Sequence, residues 1–473
     1  MGKKEFPKIH FYDHDLTDMY DYTWLRSKDF WKKGTPENGF QSKYFNSPES
    51  DHTNQFETCC ASFFLVYSNK IYPTVSMLDN FYAKQEESGA IRGEYSETDG
   101  KPILGRGNPQ GVHPPLFAWA EYNIYHKIGF KKRIKEVLPV LEKYFSWLER
   151  TFKQENGLYS VPLEATMMVN SPRKEAAYPI DFNTQQAISA LYMSALGDIL
   201  NDKEISYRYK KAYFSLKTRI SSLMWSEEDC YYYDLDRSGN QLKVKTIASF
   251  WPLLAEIPNE VKAEKLISHL ADPKEFGLDN PFPTLAACER GFNKSGGGYN
   301  GSVFPCFTYA VIKGLEKYNK VEFARECALK HLYSVLEGLH PEEDKEGTLW
   351  EAYAPMNEGP AAWQGHRSFP RRLFLPYAAL STIALMIENV VGLYISLPRK
   401  TVDWMIPSME IMGIEDLALK RNMITILSNK SGRGWEIRLE SEKLYYLTIN
   451  ILEAKKKTLP IPSGKCSILI DKI

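Results

Sequence analysis

The sequence predicts a mainly α protein, a closed double ring of paired helices called an (α/α)6 toroid, with a small all-β domain after it. Apolar residues recur at helical spacing in about eleven or twelve segments, mostly consecutive antiparallel pairs with short connections. After about residue 397, short apolar runs separated by turn residues replace that spacing. An open solenoid is the alternative, but it would show a fixed-period repeat, and we find none. We therefore divide the chain into residues 1–396, the helical ring with an irregular N-terminal segment, and residues 397–473, the β-domain.

The individual elements follow from apolar spacing and from Gly or Pro at their ends. Residues 1–50 are rich in aromatic side chains, and we expect them to be irregular. The clearest apolar stripe lies in residues 131–153 and comprises Ile134, Val137, Leu138, Leu141, Phe145, Leu148 and Phe152. The other predicted helices cover 54–68, 72–88, a segment opened by Pro114 and Pro115, 181–200, 204–225, 246–258, 260–271, 302–318, 320–338 and about 374–392. Predicted strands are 231–236 and 242–244, as a hairpin, and 423–427, 435–439, 445–451 and 466–470.

Composition limits the classes of partner. Lys and Arg together number 59, as do Asp and Glu, so no excess charge points to nucleic acid or to an acidic membrane surface. No apolar run approaches the roughly 18 residues of a membrane span. Residues 1–10 contain no hydrophobic segment, so we expect a cytoplasmic protein, or a periplasmic or secreted one if a signal peptide has been removed. We also expect a monomer or a weak homo-oligomer.

Aromatic residues and cysteines narrow the chemistry only partly. Aromatic residues make up 13% of the chain, a share that fits both carbohydrate-active proteins and proteins with a large helical core. The seven cysteines are scattered without a CxxC pair, and we expect mostly buried thiols. Residues 234–240 imitate the start of a calcium loop, but its twelfth position is Lys245 rather than Glu. We therefore predict a turn there and no metal site.

The stretch 347–355, Gly-Thr-Leu-Trp-Glu-Ala-Tyr-Ala-Pro, contains the most suggestive carboxylate. Glu351 lies between Trp350 and Tyr353, whose flat apolar faces suit stacking on a sugar ring. A carboxylate among such rings can act as a base, with a proton affinity set by burial and neighbours. A surface Glu in an aromatic turn is the alternative interpretation.

Several segments, in the same order along the chain, resemble motifs of a known clan. Residues 89–94 resemble "GfIpRE", residues 299–305 resemble "YW.G.vWp", and residues 347–355 resemble "gtlwEnY.P". The other matching segments are 225–236, 246–254, 312–315 and 374–392. Together they resemble inverting (α/α)6-barrel glycosidases: glycoside hydrolase family 63 α-glucosidases, mannosylglycerate hydrolases and, more distantly, trehalases. The resemblance extends from about residue 55 to about residue 395.

The resemblance implies a six-hairpin glycosidase fold and inverting hydrolysis of an α-linked glucoside, mannoside or related small glycan, without a metal or organic cofactor. It gives Glu351 the role of the general base that activates water. The general acid of this clan is an Asp in a motif that matches Thr166–Arg173, but Val169 occupies its position here. Inverting hydrolysis needs both carboxyl groups, about 6.5–9.5 Å apart.

Three nearby carboxylates are candidates for the missing acid. We predict Glu164, because it precedes Val169 by five residues in the same predicted active-site loop. Asp181 precedes a helix and is better explained as its cap, and Glu175 is expected to be solvated. If no acid serves, the chain is a carbohydrate-binding protein on a hydrolase scaffold. A third possibility is a glycosidase for substrates with a good leaving group or an acid of their own.

The remaining site predictions concern substrate binding. Arg92 and Arg173 are expected to hydrogen-bond substrate or to orient a carboxylate, although Arg92 and Glu94 could instead pair with each other. His113 lies at a helix entrance that would face substrate, with a packed or exposed His as the alternative. His366 and Arg367 follow Trp363 and could bind sugar hydroxyls or an anionic group. The alternative is that they lie in a flexible exposed loop. The full predicted substrate-binding set is Arg92, Glu94, His113, Asn170, Arg173, Tyr299, Asn300, Trp350, Tyr353, Trp363, His366 and Arg367.

Overall fold

A computed structural model describes residues 6–340, 347–406, 410–432, 434–451 and 456–470, so the first half of the segment 1–10 lies outside it. Its helices are α1 His14–Ser27, α2 Gln55–Leu65, α3 Ser76–Ala83, α4 Phe117–Ile128, α5 Lys131–Phe152, α6 Ile180–Leu200, α7 Lys203–Leu223, α8 Trp251–Leu254, α9 Glu260–Ala271, α10 Pro305–Lys317, α11 Val321–Leu339 and α12 Leu375–Ala379. The last of these continues as a π-helix, Leu380–Val390.

The even-numbered helices form a closed inner ring. Each packs against the next, α2 on α4, α4 on α6, α6 on α8 and α8 on α10, and α12 with its π-helical continuation closes the ring between α10 and α2. The odd-numbered helices alternate with them along the chain and form the outer layer. This arrangement confirms the predicted (α/α)6 toroid. Because inner and outer helices alternate, the inner helices all point the same way, and the loops that enter them gather at one end.

Burial distinguishes the two layers. Every residue of the inner helix α2 is buried, as expected for a helix packed on all sides. The outer helix α5 instead buries one stripe, which includes the predicted Ile134, Leu141 and Leu148. Asn54 accepts hydrogen bonds from the first turn of α2, and Asp202 does the same for α7, so side chains fix where these helices begin.

The C-terminal region is all β. The strands of the chain are β1 Lys8–His10, β2 Trp31–Lys32, β3 Tyr44–Phe45, β4 His52–Asn54, β5 Glu94–Ser96, β6 Trp225–Ser226, β7 Tyr231–Tyr232, β8 Leu393–Ser396, β9 Thr401–Ile406, β10 Met412–Leu419, β11 Asn422–Ser431, β12 Gly434–Ser441, β13 Tyr445–Ile451, β14 Lys457–Ile461 and β15 Gly464–Ile470. A five-stranded sheet has the order β1-β10-β11-β12-β15, and a four-stranded sheet has the order β14-β13-β9-β8.

The β region packs on the end of the ring away from the gathered loops. The Leu397 amide donates to the His126 carbonyl at the end of α4, and the buried Trp404 indole donates to the Val391 carbonyl at 2.8 Å. The division of the chain at residues 396 and 397 stays a prediction. The first strand of this region begins at Leu393, and the early strand β1 joins its larger sheet.

Three local predictions were wrong. Residues 14–27, expected to be irregular, form α1, because Asp13 caps a helix whose Leu16, Tyr20 and Trp24 face the core. The predicted hairpin is shifted: β7 pairs with β6, while Leu235 forms isolated bridges to Gln241 and to Tyr178. The helix expected over 246–258 is short, since a 3₁₀ turn occupies residues 247–250 before α8. Within the described residues no helix is both long enough and apolar enough to cross a membrane.

Candidate active site

Glu351 lies at the end of the ring where the loops gather, in the segment that leads to α12. It is buried, and Arg371 holds both of its carboxylate oxygens. The Arg371 backbone amide donates to Oε2 at 3.1 Å, and Nη2 donates to Oε1 at 2.8 Å. The Glu351 amide donates back to the Arg371 carbonyl at 3.0 Å. These contacts fix the position of the carboxylate.

A second buried carboxylate, Glu57, shares the same nitrogen. Arg371 Nη2 also donates to Glu57 Oε1 at 2.7 Å. The two oxygens that share Nη2 therefore lie no farther apart than the sum of the two contacts, which is closer than the spacing of an inverting acid and base. Burial raises the pKa of Glu57; Arg371 opposes the rise and the charge of Glu351 adds to it.

Sequence reasoning missed Glu57. It occupies the third position of α2 after the cap residue Asn54, a pattern that normally indicates helix capping. Its side chain instead reaches a residue 314 positions away. The one available signal is that a Glu inside an otherwise apolar inner helix needs a partner.

Tyr299 forms one wall beside Glu351. Its ring stacks on Phe304 with centroids 4.8 Å apart, and its amide donates to Asn170 Oδ1 at 2.8 Å. Burial raises the pKa of Tyr299, and the nearby charge of Glu351 adds to the rise. Asn170 Nδ2 also donates to the Gly297 carbonyl at 3.0 Å. The predicted residues Asn170 and Tyr299 are thus brought together next to Glu351, while Asn300 is half-buried in the following turn, where its carbonyl accepts from the Asn293 amide.

Gly298 makes this wall possible. Its φ of 64° is left-handed, and a Cβ there would lie 2.8 Å from Asn170 and 3.0 Å from Trp363. The loop of Trp363 is joined to this segment by two hydrogen bonds: the Gly297 amide donates to the Ala362 carbonyl, and the Ala362 amide donates to the Ser295 carbonyl. Trp363 is half-buried and stacks on the exposed His366 with centroids 3.6 Å apart. These two rings are therefore a preformed aromatic edge of the site.

The other aromatic residues around Glu351 have structural roles. Tyr353 is fully buried, and its hydroxyl accepts from the Trp350 amide at 3.0 Å. Trp350 is half-buried, and the guanidinium of Arg372 lies 5.4 Å from its ring centre. Arg367 is exposed and lines a surface depression of about 790 Å³ beside Arg371. Among the predicted binding residues in this segment, Arg367 is therefore open to a ligand, whereas Tyr353 is packed in the core.

The position of the missing acid lies at the open edge. Val169 is 50% exposed and adjoins Asn170. Glu164 is exposed and lines a depression of about 820 Å³ together with Val169 and Glu175. No hydrogen bond or ion pair between described residues joins Glu164 to Glu351.

Arg173 is buried rather than open to substrate. Its guanidinium forms two hydrogen bonds with Asp181, at 2.8 and 2.7 Å, and two with Asp234, at 2.7 and 2.9 Å. The residue and both partners are buried, so these three side chains hold together the 163–181 loop and the 231–236 segment. Arg173 therefore orients carboxylates, the second of the two roles expected of it, and Asp181 is an ion-pair partner rather than a free acid.

Arg92, Glu94 and His113 are also occupied. Arg92 pairs with Glu86 through contacts of 2.7 Å and does not pair with Glu94. Glu94 accepts from the Asn54 side chain at 3.0 Å. His113 is packed: a Cβ on Gly93 would lie 2.3 Å from its ring, and burial, with a smaller effect of the charge of His52, lowers its pKa to about 4. Among described residues no three or more His, Cys, Asp or Glu side chains are grouped as a metal site would require.

Comparisons with known proteins agree with this geometry. A family profile described as the mannosylglycerate hydrolase MGH1-like glycoside hydrolase domain matches residues 79–370. A second profile, the trehalase C-terminal domain, matches residues 392–473. The protein is a six-hairpin glycosidase by fold. Specifically, the chain belongs to the MGH1-like glycoside hydrolase family.

Relatives and solved structures are similar over most of the chain. An uncharacterised protein of Borreliella burgdorferi is 51% identical to this chain over 476 residues, and the alignment covers 100% of each chain. A sialidase structure aligns with a TM-score of 0.66 and 16% identity over 92% of this chain, which spans 38% of that one. The GH63 mannosylglycerate hydrolase of Thermus thermophilus, in complex with glucose, aligns with a TM-score of 0.59 and 16% identity over 77% of this chain and 99% of that one.

Proposed function

We propose that the protein hydrolyses an α-linked glucoside, mannoside or related small glycan with inversion, with Glu351 as the general base. The observation that carries this proposal is the double contact of Arg371 with the buried Glu351 carboxylate. Family membership supports a glycosidase. The glucose complex of a similar structure supports a hexose in the site.

In the proposed reaction, Glu351 removes a proton from water as the water oxygen bonds to the anomeric carbon. The bond from that carbon to the leaving oxygen breaks, and the leaving oxygen takes a proton from an acid. Arg371 holds Glu351 in position toward the water and is itself held by Glu57, so Arg371 and Glu57 are positioning residues. Trp363, His366 and Tyr299 offer the rings on which a sugar can stack.

Glu164 stays our proposed acid. Its exposed side chain lies in the same depression as Val169, where the resemblance places the acid. Glu57 is the other carboxylate near the base, but its position on the same guanidinium nitrogen as Glu351 puts it on the same side of the substrate. A general acid must protonate the opposite face.

The test compares the wild type with Glu351→Gln on a panel of α-glucosides and α-mannosides. The amide keeps the size of the side chain but cannot accept the proton, so hydrolysis should fall by about 10²–10⁴-fold. Proton NMR during the reaction identifies the anomer of the sugar that is released first. An anomeric configuration opposite to that of the substrate indicates inversion. Unchanged activity in Glu351→Gln would contradict the assignment of the base.

A second candidate function is carbohydrate binding without turnover. The observation that favours it is Val169, a half-exposed apolar residue at the position expected for the acid. In that case no sugar of the panel is hydrolysed, while both wild type and Glu351→Gln bind sugar. Activity on aryl glycosides or glycosyl fluorides alone would instead indicate a hydrolase that relies on its substrate's leaving group.

A further inference from the structure

A second cavity lies at the opposite end of the ring from Glu351. Its volume is about 490 Å³, within the range of small-molecule sites. It is lined by the later turns of inner helices α4 and α10 and of the π-helix, and by β8, β9 and β13 of the β region. We call it the base cavity. The residues at its rim, Lys317, Asn319 and Lys456, are exposed. The residues at its floor, Trp119, Tyr309 and Glu388, are buried. The base cavity is therefore open to solvent at one side.

The charges on the floor of the base cavity are compensated within the protein. Glu388 accepts from Tyr67 at 2.6 Å and Lys127 at 3.0 Å through one oxygen, and it contacts Lys313 at 2.7 Å and Tyr309 at 3.2 Å through the other. Burial alone would raise the pKa of Glu388, but Lys127 and Lys313 lower it to about 2. The lysines are therefore already occupied, and an anionic ligand would have to compete with a fixed carboxylate.

A second carboxylate on the wall is satisfied in the same way. Glu316 Oε1 accepts from Lys313 at 2.8 Å, from Asn389 at 2.7 Å and from the Tyr394 hydroxyl at 2.9 Å. Lys127 and Lys313 lie near the C-terminal ends of α4 and α10, where a cation complements the helix dipole. Thus the floor is polar, but its charged groups are paired with each other and do not favour a charged ligand strongly.

Apart from the Asp403 carboxylate and the rim lysines Lys317 and Lys456, what remains for a ligand is a set of rings and neutral polar groups. Tyr122 and Tyr192 on the wall lie with centroids 4.8 Å apart. Asn123 lies on α4 next to Tyr122, and Asn450 and Thr448 line the cavity from β13. Asn450 Nδ2 donates to Met405 Sδ at 3.2 Å, and the hydroxyls of Thr448 and Thr458 are hydrogen-bonded at 3.1 Å. Asn123 Nδ2 is buried and has no hydrogen-bond partner among the described residues, an arrangement that normally costs stability unless something binds there.

We infer that the base cavity is a second carbohydrate-binding site, which takes a neutral, monosaccharide-sized sugar and does no chemistry on it. Aromatic faces, uncharged hydrogen-bonding groups and compensated charges together suit a ring with many hydroxyl groups better than an ion or an apolar molecule. The site is formed jointly by the ring and the β region. Its ligand would therefore join the two and is distinct from the substrate at Glu351.

Hydrogen–deuterium exchange tests the inference, because it measures the exchange of backbone amides separately in peptides from the two ends of the ring. The probes are methyl α-D-mannopyranoside and methyl α-D-glucopyranoside, with inorganic phosphate as an anionic comparison. We expect at least one glycoside to slow exchange in peptides from α4, β8 and β9. This protection should persist in Trp363→Ala, which alters the other end. Protection confined to peptides around residues 295–304 and 347–373, no protection at all, or protection by phosphate alone would each overturn the inference.

Matched variants complete the test. Tyr122→Ala should abolish protection at the base cavity, whereas Tyr125→Ala, on the same helix but outside the cavity lining, should keep it. Asn123→Leu is a second variant that loses no hydrogen bond of Nδ2, so it should fold normally and still lose the protection. Thermal unfolding of each variant identifies those that are folded. Retained protection in folded Asn123→Leu and Tyr122→Ala would contradict a sugar site in the base cavity.

Discussion

Arg371 contacts Glu351 twice, with its backbone amide on one carboxylate oxygen and its guanidinium on the other. The same guanidinium nitrogen contacts Glu57, so one cation stands between two buried carboxylates. Arg371 opposes the rise that burial and the charge of Glu351 cause in the pKa of Glu57. The position of the proposed base therefore depends on a residue that does not itself contact substrate in the proposed reaction.

Arg371→Gln should shift the pH dependence of hydrolysis. Without the cation, two buried carboxylates face each other with no positive charge between them, so the fall of kcat/KM on the acid side (the acid limb) should move to higher pH. The measurement is a pH–rate profile of the variant beside wild type. Adding Glu57→Gln removes the facing carboxylate and should move the limb part of the way back. Arg367→Gln is the control for loss of an exposed cation, and an unmoved limb in Arg371→Gln would argue against the positioning role.

Val169→Asp should restore a carboxyl group where the resemblance expects the acid. Because the side chain is 50% exposed, the new carboxyl needs no buried partner. In a Glu164→Gln background, which lacks our proposed acid, hydrolysis of alkyl glycosides, which have poor leaving groups, should rise by about 10²-fold or more, whereas aryl glycosides should gain little. Val169→Asn is the matched control without a proton to donate. Equal rates for the Asp and Asn variants would show that position 169 does not face the leaving oxygen.

Glu164→Gln should lower activity on poor leaving groups if Glu164 is the acid. The expected loss is about 10²–10⁴-fold, with a much smaller effect on aryl glycosides, whose leaving groups need no proton. Glu175 is a matched control, since it lines the same depression and is also exposed. Comparable losses in Glu164→Gln and Glu175→Gln, or none in either, would remove Glu164 from the mechanism.

Arg173→Met should destabilise the protein strongly. It leaves Asp181 and Asp234 buried without their cation, which typically costs about 3–5 kcal/mol in the free energy of unfolding. Arg208→Met is the control: its side chain is 53% exposed, and its pairs with Glu142 and Glu204 are worth at most about 1 kcal/mol. Denaturant unfolding of both variants gives the two values. Similar losses for the two arginines would contradict the role assigned to Arg173.

Stability should fall in acid through Glu388. Its pKa is about 2 in the folded protein and 4.5 as a free side chain, so its contribution is present above pH 4.5 and is lost as pH falls toward 2. A shift of this size corresponds to a contribution of about 3 kcal/mol. Thermal unfolding between pH 5 and 2 should therefore have a shallower pH dependence in Glu388→Gln than in wild type. Identical slopes would show that other carboxylates dominate.

The sequence was sufficient for the ring, because each helix carries its own apolar spacing. The stripe predicted in residues 131–153 became the buried face of α5. The helix at Asp13 was equally readable, with Leu16, Tyr20 and Trp24 at helical spacing, but the many aromatic residues around it suggested irregular structure.

The site was less predictable, because its contacts are made between distant segments. Glu57 meets Arg371 across 314 positions, and Arg173 meets Asp234 across 61. Local patterns give neither pair, so Glu57 was overlooked, and two roles, substrate binding and the orientation of a carboxylate, stayed open for Arg173. Asn170 and Tyr299 did come together beside Glu351, because the resemblance already contained that long-range information.

Strand β1 imposes an order on biosynthesis. Lys8, Ile9 and His10 pair with residues 415 to 413 of β10, at the edge of the larger sheet. During translation this segment emerges early and has no strand to pair with until almost the whole ring has been made. The ring can thus assemble as its hairpins leave the ribosome, whereas the sheet edge is covered only after β10 has been made. A ribosome that stalls before β10 would leave a nascent ring whose strand β1 has no partner.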